Sequence, residues 1–189
     1  MKKKNKAIYL LFLMPFVYFA TACFVVWLVK TSGIYPSGSD TMYHVYRGDY
    51  VYNAIKSGNW YPLYDPAWYN GVEIMRYWAP LTAYYMALCQ MIAGGGQLAG
   101  YLIFVGSVCF FNSILWLIIG RKMNRPYLGA FVGLIWFFMP NNLLALFVEG
   151  NLARSLCMIF LPVFIYAVCE YLSERKRIYI PIIIVTFAL

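Results

Sequence analysis

Two short stretches of this sequence hold the side chains that could do chemistry. The first is Ser37-Gly38-Ser39-Asp40-Thr41-Met42-Tyr43-His44, followed closely by Arg47. Asp40 and His44 are four residues apart, and Arg47 is three further on. A helix starting near Asp40 therefore sets all three on nearly one stripe. A carboxylate can accept a proton from a hydroxyl, a carboxylate and an imidazole can share a cation, and a guanidinium can hold a phosphate. The second stretch is Glu149-Gly150-Asn151-Leu152-Ala153-Arg154, an acid and a base around a tight turn. If the two stretches face each other across a cleft, Glu149 opposes Asp40, and Arg47 and Arg154 can take a lipid-linked phosphate. Plain structural uses compete with this reading. Asp40 can simply cap the helix, His44 can satisfy a carboxylate or carbonyl, and charges at a membrane boundary snorkel at little cost.

The elements that must position these residues are apolar. The chain has 189 residues, 63% of them hydrophobic and only 12% charged. A soluble domain is nearer half apolar and about a quarter charged. The excess lies in long runs, which marks an integral membrane protein of all-α, polytopic class. The net charge of +8 does not indicate nucleic acid, because the basic residues flank apolar runs and form no face of their own. Cys23, Cys89, Cys109, Cys157 and Cys169 all lie in apolar segments without a CxxC pair, so they read as small apolar side chains.

Charge asymmetry orders the spans. Lys2, Lys3, Lys4 and Lys6 precede an apolar run, predicting a first transmembrane helix over 7–29 with a cytoplasmic amino terminus. Further spans are predicted over 98–120, 128–148 and 151–172, with the start of a fifth over 178–189. Arg121-Lys122-Arg125 and Arg175-Lys176-Arg177 then fall inside with the first lysines, which leaves residues 31–97 as one long outer loop. That loop carries four of the seven acidic residues and the one histidine. Within it Thr41 to Lys56 reads as a helix, opened by Ser39-Asp40 and closed by Ser57-Gly58. Trp60-Tyr61-Pro62 and Tyr64 to Gly71 read as turns, Asp65 before Pro66 as a turn residue, and Glu73 with Arg76 as a solvent pair. Ala79 to Ala93 is apolar but short, and is predicted to be an interfacial or re-entrant helix on the outer side. Pro140-Asn141-Asn142 interrupts the third span near its outer third, and the apolar ending predicts an amino-terminal fragment of a longer protein.

Several motifs together resemble a known pattern. They are Gly38-Ser39-Asp40 with His44, then Ile55-Lys56-Ser57-Gly58-Asn59-Trp60-Tyr61-Pro62, Asp65-Pro66, Asn70-Gly71, Ala79-Pro80-Leu81-Thr82-Ala83-Tyr84-Tyr85, and Glu149 to Ser155 leading to Leu161-Pro162. The chain resembles the amino-terminal part of bacterial membrane proteins of the GT-C glycosyltransferase superfamily, and within it the 6-pyruvoyl-tetrahydropterin synthase-related membrane proteins. The soluble pterin synthases need a cluster of zinc-binding histidines, and this chain has one histidine. The resemblance implies a GT-C-like helical bundle in the bacterial plasma membrane that uses a polyprenyl-phosphate sugar. Its partners are then membrane lipid and a lipid-linked sugar, not nucleic acid. By the same resemblance Asp40 and Glu149 are the catalytic carboxylates, His44, Arg47 and Arg154 bind substrate, and Asp40 with His44 are the candidate ligands if a divalent metal ion is used. Many superfamily members carry paired acidic residues in the first loop, where this chain has Ser39-Asp40. Two other readings stand beside transfer: a non-enzymatic export or transporter-like component, and an inactive truncated fragment.

Overall fold

The computed structural model describes residues 2–76 and 80–188, with side chains from Leu10 onward. The amino-terminal lysine side chains, Ala79 at the head of the short apolar segment, and Leu189 lie outside the described residues. The described chain is built from helices, and an isolated antiparallel bridge between Asp65 and Val72 is the β pairing among them.

The long helices are α1 (Lys2–Thr31), α4 (Gln97–Lys122) and α7 (Leu152–Glu174); each is long and apolar enough to cross a membrane. Between α1 and α4 lie α2 (Thr41–Lys56) and α3 (Leu81–Ile92). After α4 come α5 (Pro126–Ile135), the single turn α6 (Pro140–Leu143) and a π-helical turn over Leu144–Val148; α8 (Tyr179–Ala188) follows α7. Phe12, Phe16, Phe19, Leu128, Phe131 and Leu172 stand more than half exposed. Water would penalise such faces, and lipid does not. The chain is an all-α, multi-pass membrane protein.

Helix α4 is the spine. Tyr101, Phe104, Val105, Val108 and Cys109 are buried along one stripe and meet Ala22 and Val25 of α1, Met86 and Cys89 of α3, and Leu152, Leu156 and Ile159 of α7. Close approach comes from small residues. A Cβ on Gly120 would lie 2.5 Å from the Gly129 Cα, which brings α5 back along α4, and one on Gly100 would lie 2.9 Å from the Gln90 Cα, which seats α3. Helices α1 and α4 are antiparallel: Leu11 and Pro15 line one groove with Leu117, Ile118, Arg121 and Lys122, while Trp27 and Lys30 line another with Leu102 and Ile103. The Lys122 ammonium sits 5.8 Å from the Tyr166 ring of α7. One end of the bundle is thus basic, and Ser37 to Thr41 and Gly150 lie at the other.

The span expected over 128–148 is broken. Its two parts, Pro126–Ile135 and Pro140–Val148, meet at 42°. Met139 is extended (ψ 138°), as a residue preceding proline prefers, and Pro140 has no N–H to continue the ladder. The Asn142 amide donates to the Trp136 carbonyl at 2.5 Å, satisfying one of the freed acceptors. Helix α3 has 12 residues, about 18 Å of rise against a hydrocarbon core of about 30 Å. It packs against both α2 and α4.

Candidate functional site

Asp40 occupies the N-cap position of α2, but its side chain makes no capping hydrogen bond. The turn is closed instead by the Thr41 hydroxyl, which donates to the Ser37 carbonyl. The Asp40 carboxylate is therefore left exposed at the helix mouth. The local backbone is held from elsewhere. The Ser39 N–H donates to the Val148 carbonyl at 3.1 Å, and the Asp40 N–H donates to the Glu149 carbonyl at 3.0 Å. The Ser39 hydroxyl donates to the same Glu149 carbonyl at 2.7 Å.

This junction depends on two glycines. Gly38 (φ +106°) and Gly150 (φ +69°) are both left-handed, and a Cβ on Gly38 would sit 2.5 Å from the Gly150 Cα. Only residues without a side chain allow the two main chains so near. The first loop and the Glu149 turn accordingly share one end of the bundle, joined main chain to main chain, while neither Glu149 nor Arg154 lines the cleft beside Asp40.

The turn itself is well fixed. A π-type bond from the Glu149 N–H to the Leu144 carbonyl (2.9 Å) ends the helix. The Asn151 carboxamide caps α7 by accepting from the Arg154 N–H at 2.9 Å. The Arg154 guanidinium donates to both Glu149 carboxylate oxygens (3.2 and 2.9 Å) and to Asn141 Oδ1 (2.5 Å). Glu149 and Arg154 remain about a third exposed, at 37% and 35%. Arg154 is thus a pre-aimed cation at the bundle end.

His44 and Arg47 do share a stripe of α2, but the stripe faces inward. His44 is 2% and Arg47 1% exposed. The Arg47 Nη2 donates to the Ile74 carbonyl at 3.1 Å, and its Cζ stands 5.5 Å from the Tyr43 ring centre. Burial, and secondarily the Arg47 charge, push the His44 imidazole down to about 4, with Asp40 opposing them. His44 is a neutral buried imidazole at pH 7. Arg47 clamps the Ile74 segment from within, whereas the Arg154 guanidinium is reached by solvent. Among the described residues no group of three His, Cys, Asp or Glu side chains gathers as a metal site. Asp40 and His44 offer a cation two donors, one exposed and one buried.

A cleft of about 480 Å3 opens beside Asp40, lined by Tyr43, Trp68, Tyr69, Val72, Glu73 and Ile74. The 65–72 turn forms its wall. Asp65, 2% exposed, accepts from the Tyr46 hydroxyl (2.5 Å) and the Ala67 N–H (2.9 Å), and its backbone pairs with Val72. Burial and that hydrogen bond push the Tyr46 phenol up to about 12. Asp65 is the turn residue its Pro66 neighbour suggested, and Glu73 with Arg76 form an exposed pair at 2.6 Å. Trp68, Tyr69, Glu73 and Asn141 escaped the sequence reading as site residues. Their signal was a turn-forming, aromatic stretch of a kind that also suits an interface anchor.

The family model described as 6-pyruvoyl-tetrahydropterin synthase related domain, a membrane protein, matches residues 75–189, more than half of the chain. The matched part contains Glu149 and Arg154 and begins after Asp40, His44 and Arg47. No curated protein and no solved structure matches the chain.

Proposed function

The chain belongs to the 6-pyruvoyl-tetrahydropterin synthase related family of membrane proteins, and from that premise we propose that it is a membrane glycosyltransferase. It moves a sugar from a polyprenyl-phosphate donor to an acceptor hydroxyl at one membrane face. The observation that carries this reading is the junction of Asp40 with the Glu149-Gly150 turn. It brings an uncapped carboxylate and a held guanidinium to the same end of an apolar bundle. Such a site meets the lipid–water boundary, where a polyprenyl tail and a polar acceptor can both arrive.

The step divides naturally between the two segments. Asp40 takes the proton from the acceptor hydroxyl as its oxygen bonds to the anomeric carbon. The bond from that carbon to the phosphate oxygen breaks, and its electron pair leaves with the polyprenyl phosphate. Attack opposite the leaving group inverts the anomeric centre. Arg154 stabilises the departing phosphate, and Glu149 and Asn141 hold Arg154 in place. His44, neutral and buried, is not assigned the proton transfer. The site end is assigned to the outer face of a bacterial plasma membrane, with the amino terminus cytoplasmic. Support for that orientation is the gathering of Arg121 and Lys122 at the opposite end.

The test is Asp40→Asn in the full-length protein, assayed in membrane vesicles for release of polyprenyl phosphate from polyprenyl-phosphate sugars. A general base contributes roughly 10²–10⁴ in rate, so release should fall by at least a hundredfold. Undiminished release would take Asp40 out of the mechanism, and no donor consumption by the unmodified protein would end the proposal.

A further inference from the structure

The cleft beside Asp40 has a lining that selects among ligands. Its polar groups are the Asp40 carboxylate, the Glu73 carboxylate paired with Arg76 at 2.6 Å, and the Tyr43 and Tyr69 phenols, and its walls are largely aromatic faces. Carboxylates accept hydrogen bonds and repel anions. Aromatic faces are electron-rich and attract weakly positive C–H groups. A ligand suited to both has many O–H donors and an apolar C–H face. A sugar ring has both.

Tyr69 carries the sharper argument. It is 85% exposed, so it has almost no packing to justify its place. Yet Tyr69, Asn70 and Gly71 are consecutive left-handed residues, at φ +49°, +63° and +111°. That conformation is costly for a bulky side chain and would be met more cheaply by Gly or Asn. The turn cannot relax. Asp65 pairs with Val72 on either side, the Gly71 N–H donates to the Trp68 carbonyl at 2.8 Å, and a Cβ on Gly71 would collide with the Tyr64 hydroxyl. A strained backbone thus holds an aromatic ring into solvent. It stands edge-on to Trp68 at 5.6 Å, and Trp68 is braced by Tyr43 at 5.1 Å and Tyr46 at 4.6 Å. Two rings at a steep angle, with the Asp40 and Glu73 carboxylates in the same lining, form the corner of a carbohydrate subsite.

We propose that this cleft binds an uncharged saccharide, and that this saccharide is the acceptor of transfer; the second part rests on the function proposed above. The lining itself decides the charge. Glu73 is paired with Arg76 at 2.6 Å, so the lining keeps a net negative charge at Asp40 that a phosphate or uronate would meet, whereas Arg154, paired with Glu149, does not line the cleft. The donor phosphate therefore belongs with Arg154 and the hydroxyl that loses its proton belongs with Asp40.

The experiment measures binding without donor or turnover. The chain is placed in phosphatidylcholine nanodiscs, because maltoside detergents would themselves compete. Saturation-transfer NMR is recorded with methyl glycosides of glucose, galactose, mannose and N-acetylglucosamine, and with glucose 6-phosphate and glucuronate as the charged counterparts. At least one neutral glycoside should bind saturably, with at least tenfold weaker binding of the charged sugars. Tyr69→Gly, which relieves the backbone strain and cannot unfold the turn by crowding, should weaken the neutral sugar at least tenfold, and Glu73→Gln severalfold. Failure of every neutral glycoside to bind, equal binding of charged ones, or indifference to Tyr69→Gly would each overturn the subsite. Displacement of the bound glycoside by a polyprenyl-phosphate sugar would overturn the acceptor assignment. Binding without any transfer would leave the subsite standing while sinking the glycosyltransferase reading, so the two failures are distinct.

Discussion

The Asp40 main-chain amide donates to the Glu149 carbonyl at 3.0 Å, and the Ser39 hydroxyl reaches the same oxygen from 110 residues away in sequence. That bond is possible because Gly38 and Gly150 let the chains touch. Alanine at Gly150 would carry an unfavourable φ of +69° and a Cβ only 2.5 Å from the Thr41 nitrogen. Left-handed strain and overpacking together should cost roughly 2–5 kcal/mol, and Gly38→Ala should cost a similar amount. Because the overpacking falls on one shared contact while each left-handed strain is local, the double variant should cost clearly less than the sum of the two. Thermal unfolding followed by circular dichroism measures all three. Additive losses would mean that the two glycines do not act at one junction.

His44 makes stability depend on pH. Its imidazole is held down to about 4 from an ordinary 6.5, so the unfolded chain takes up the proton first as the solution is acidified. The contribution is fully present above about pH 6.5, is lost progressively as pH falls toward about 4, and changes little below that. The shift corresponds to about 3 kcal/mol across the window. His44→Gln should flatten the stability profile between pH 6.5 and 4. An unchanged slope in that variant would assign the effect to other groups.

Helix α2 runs from Thr41 to Lys56, the bounds that Asp40 and Ser57-Gly58 announced. Start and stop residues act locally, so they can be read without knowing the fold. The stripe of Asp40, His44 and Arg47 was legible for the same reason, but which side of it would be covered was not. Burial of Arg47 depends on Ile74, 27 residues away, and no local pattern announces that contact. The break at Pro140 was visible, while its 42° bend depends on how α5 packs against α4. Trp68 and Tyr69 belonged to a stretch read as turns. Its backbone geometry, not its composition, turns it into a cleft wall.

Tyr46 and Asp65 tie α2 to that wall. Removing the phenol hydroxyl in Tyr46→Phe leaves a 2% exposed carboxylate with one fewer donor. A buried acceptor stripped of a partner costs about 1–3 kcal/mol. Asp65→Asn removes the charge along with the demand for a strong donor, so it should be the milder change. Melting temperatures of the two variants check the order, and the reverse order would indicate that Asp65 is stabilised by something other than the Tyr46 hydroxyl.

The antiparallel pairing of α1 and α4 predicts which residues share a membrane side. Ser57 follows α2, Gln97 starts α4 and Met123 follows it, and all three are exposed. In a background lacking the five free cysteines, Ser57→Cys and Gln97→Cys should react with an impermeant thiol reagent added outside. Met123→Cys should react only after permeabilisation. A split between Ser57 and Gln97 would make α3 a full crossing, and with it the shared end for Asp40 and Arg154 would be lost.

Arg154 separates a structural from a functional role most cleanly. Its ion pair with Glu149 is about one-third exposed on both sides, and such pairs contribute roughly 0–1 kcal/mol to folding. Arg154→Ala should therefore leave the melting temperature nearly unchanged. If the guanidinium holds the departing phosphate, the same change removes a fixed positive charge where negative charge develops, and losses of about 10²–10³ in kcat are typical for such a donor. Arg154→Lys keeps the charge but cannot reach both Glu149 and Asn141 with a planar fork, so it should recover only part of the rate. Glu149→Gln should lower the rate less than Arg154→Ala, because the cation survives and only its aim is loosened. Steady-state release of polyprenyl phosphate, read beside the melting curves, orders the three variants. A large stability loss with Arg154→Ala, or a full rate with it, would leave the Glu149–Arg154 pair as a helix-end fastening and nothing more.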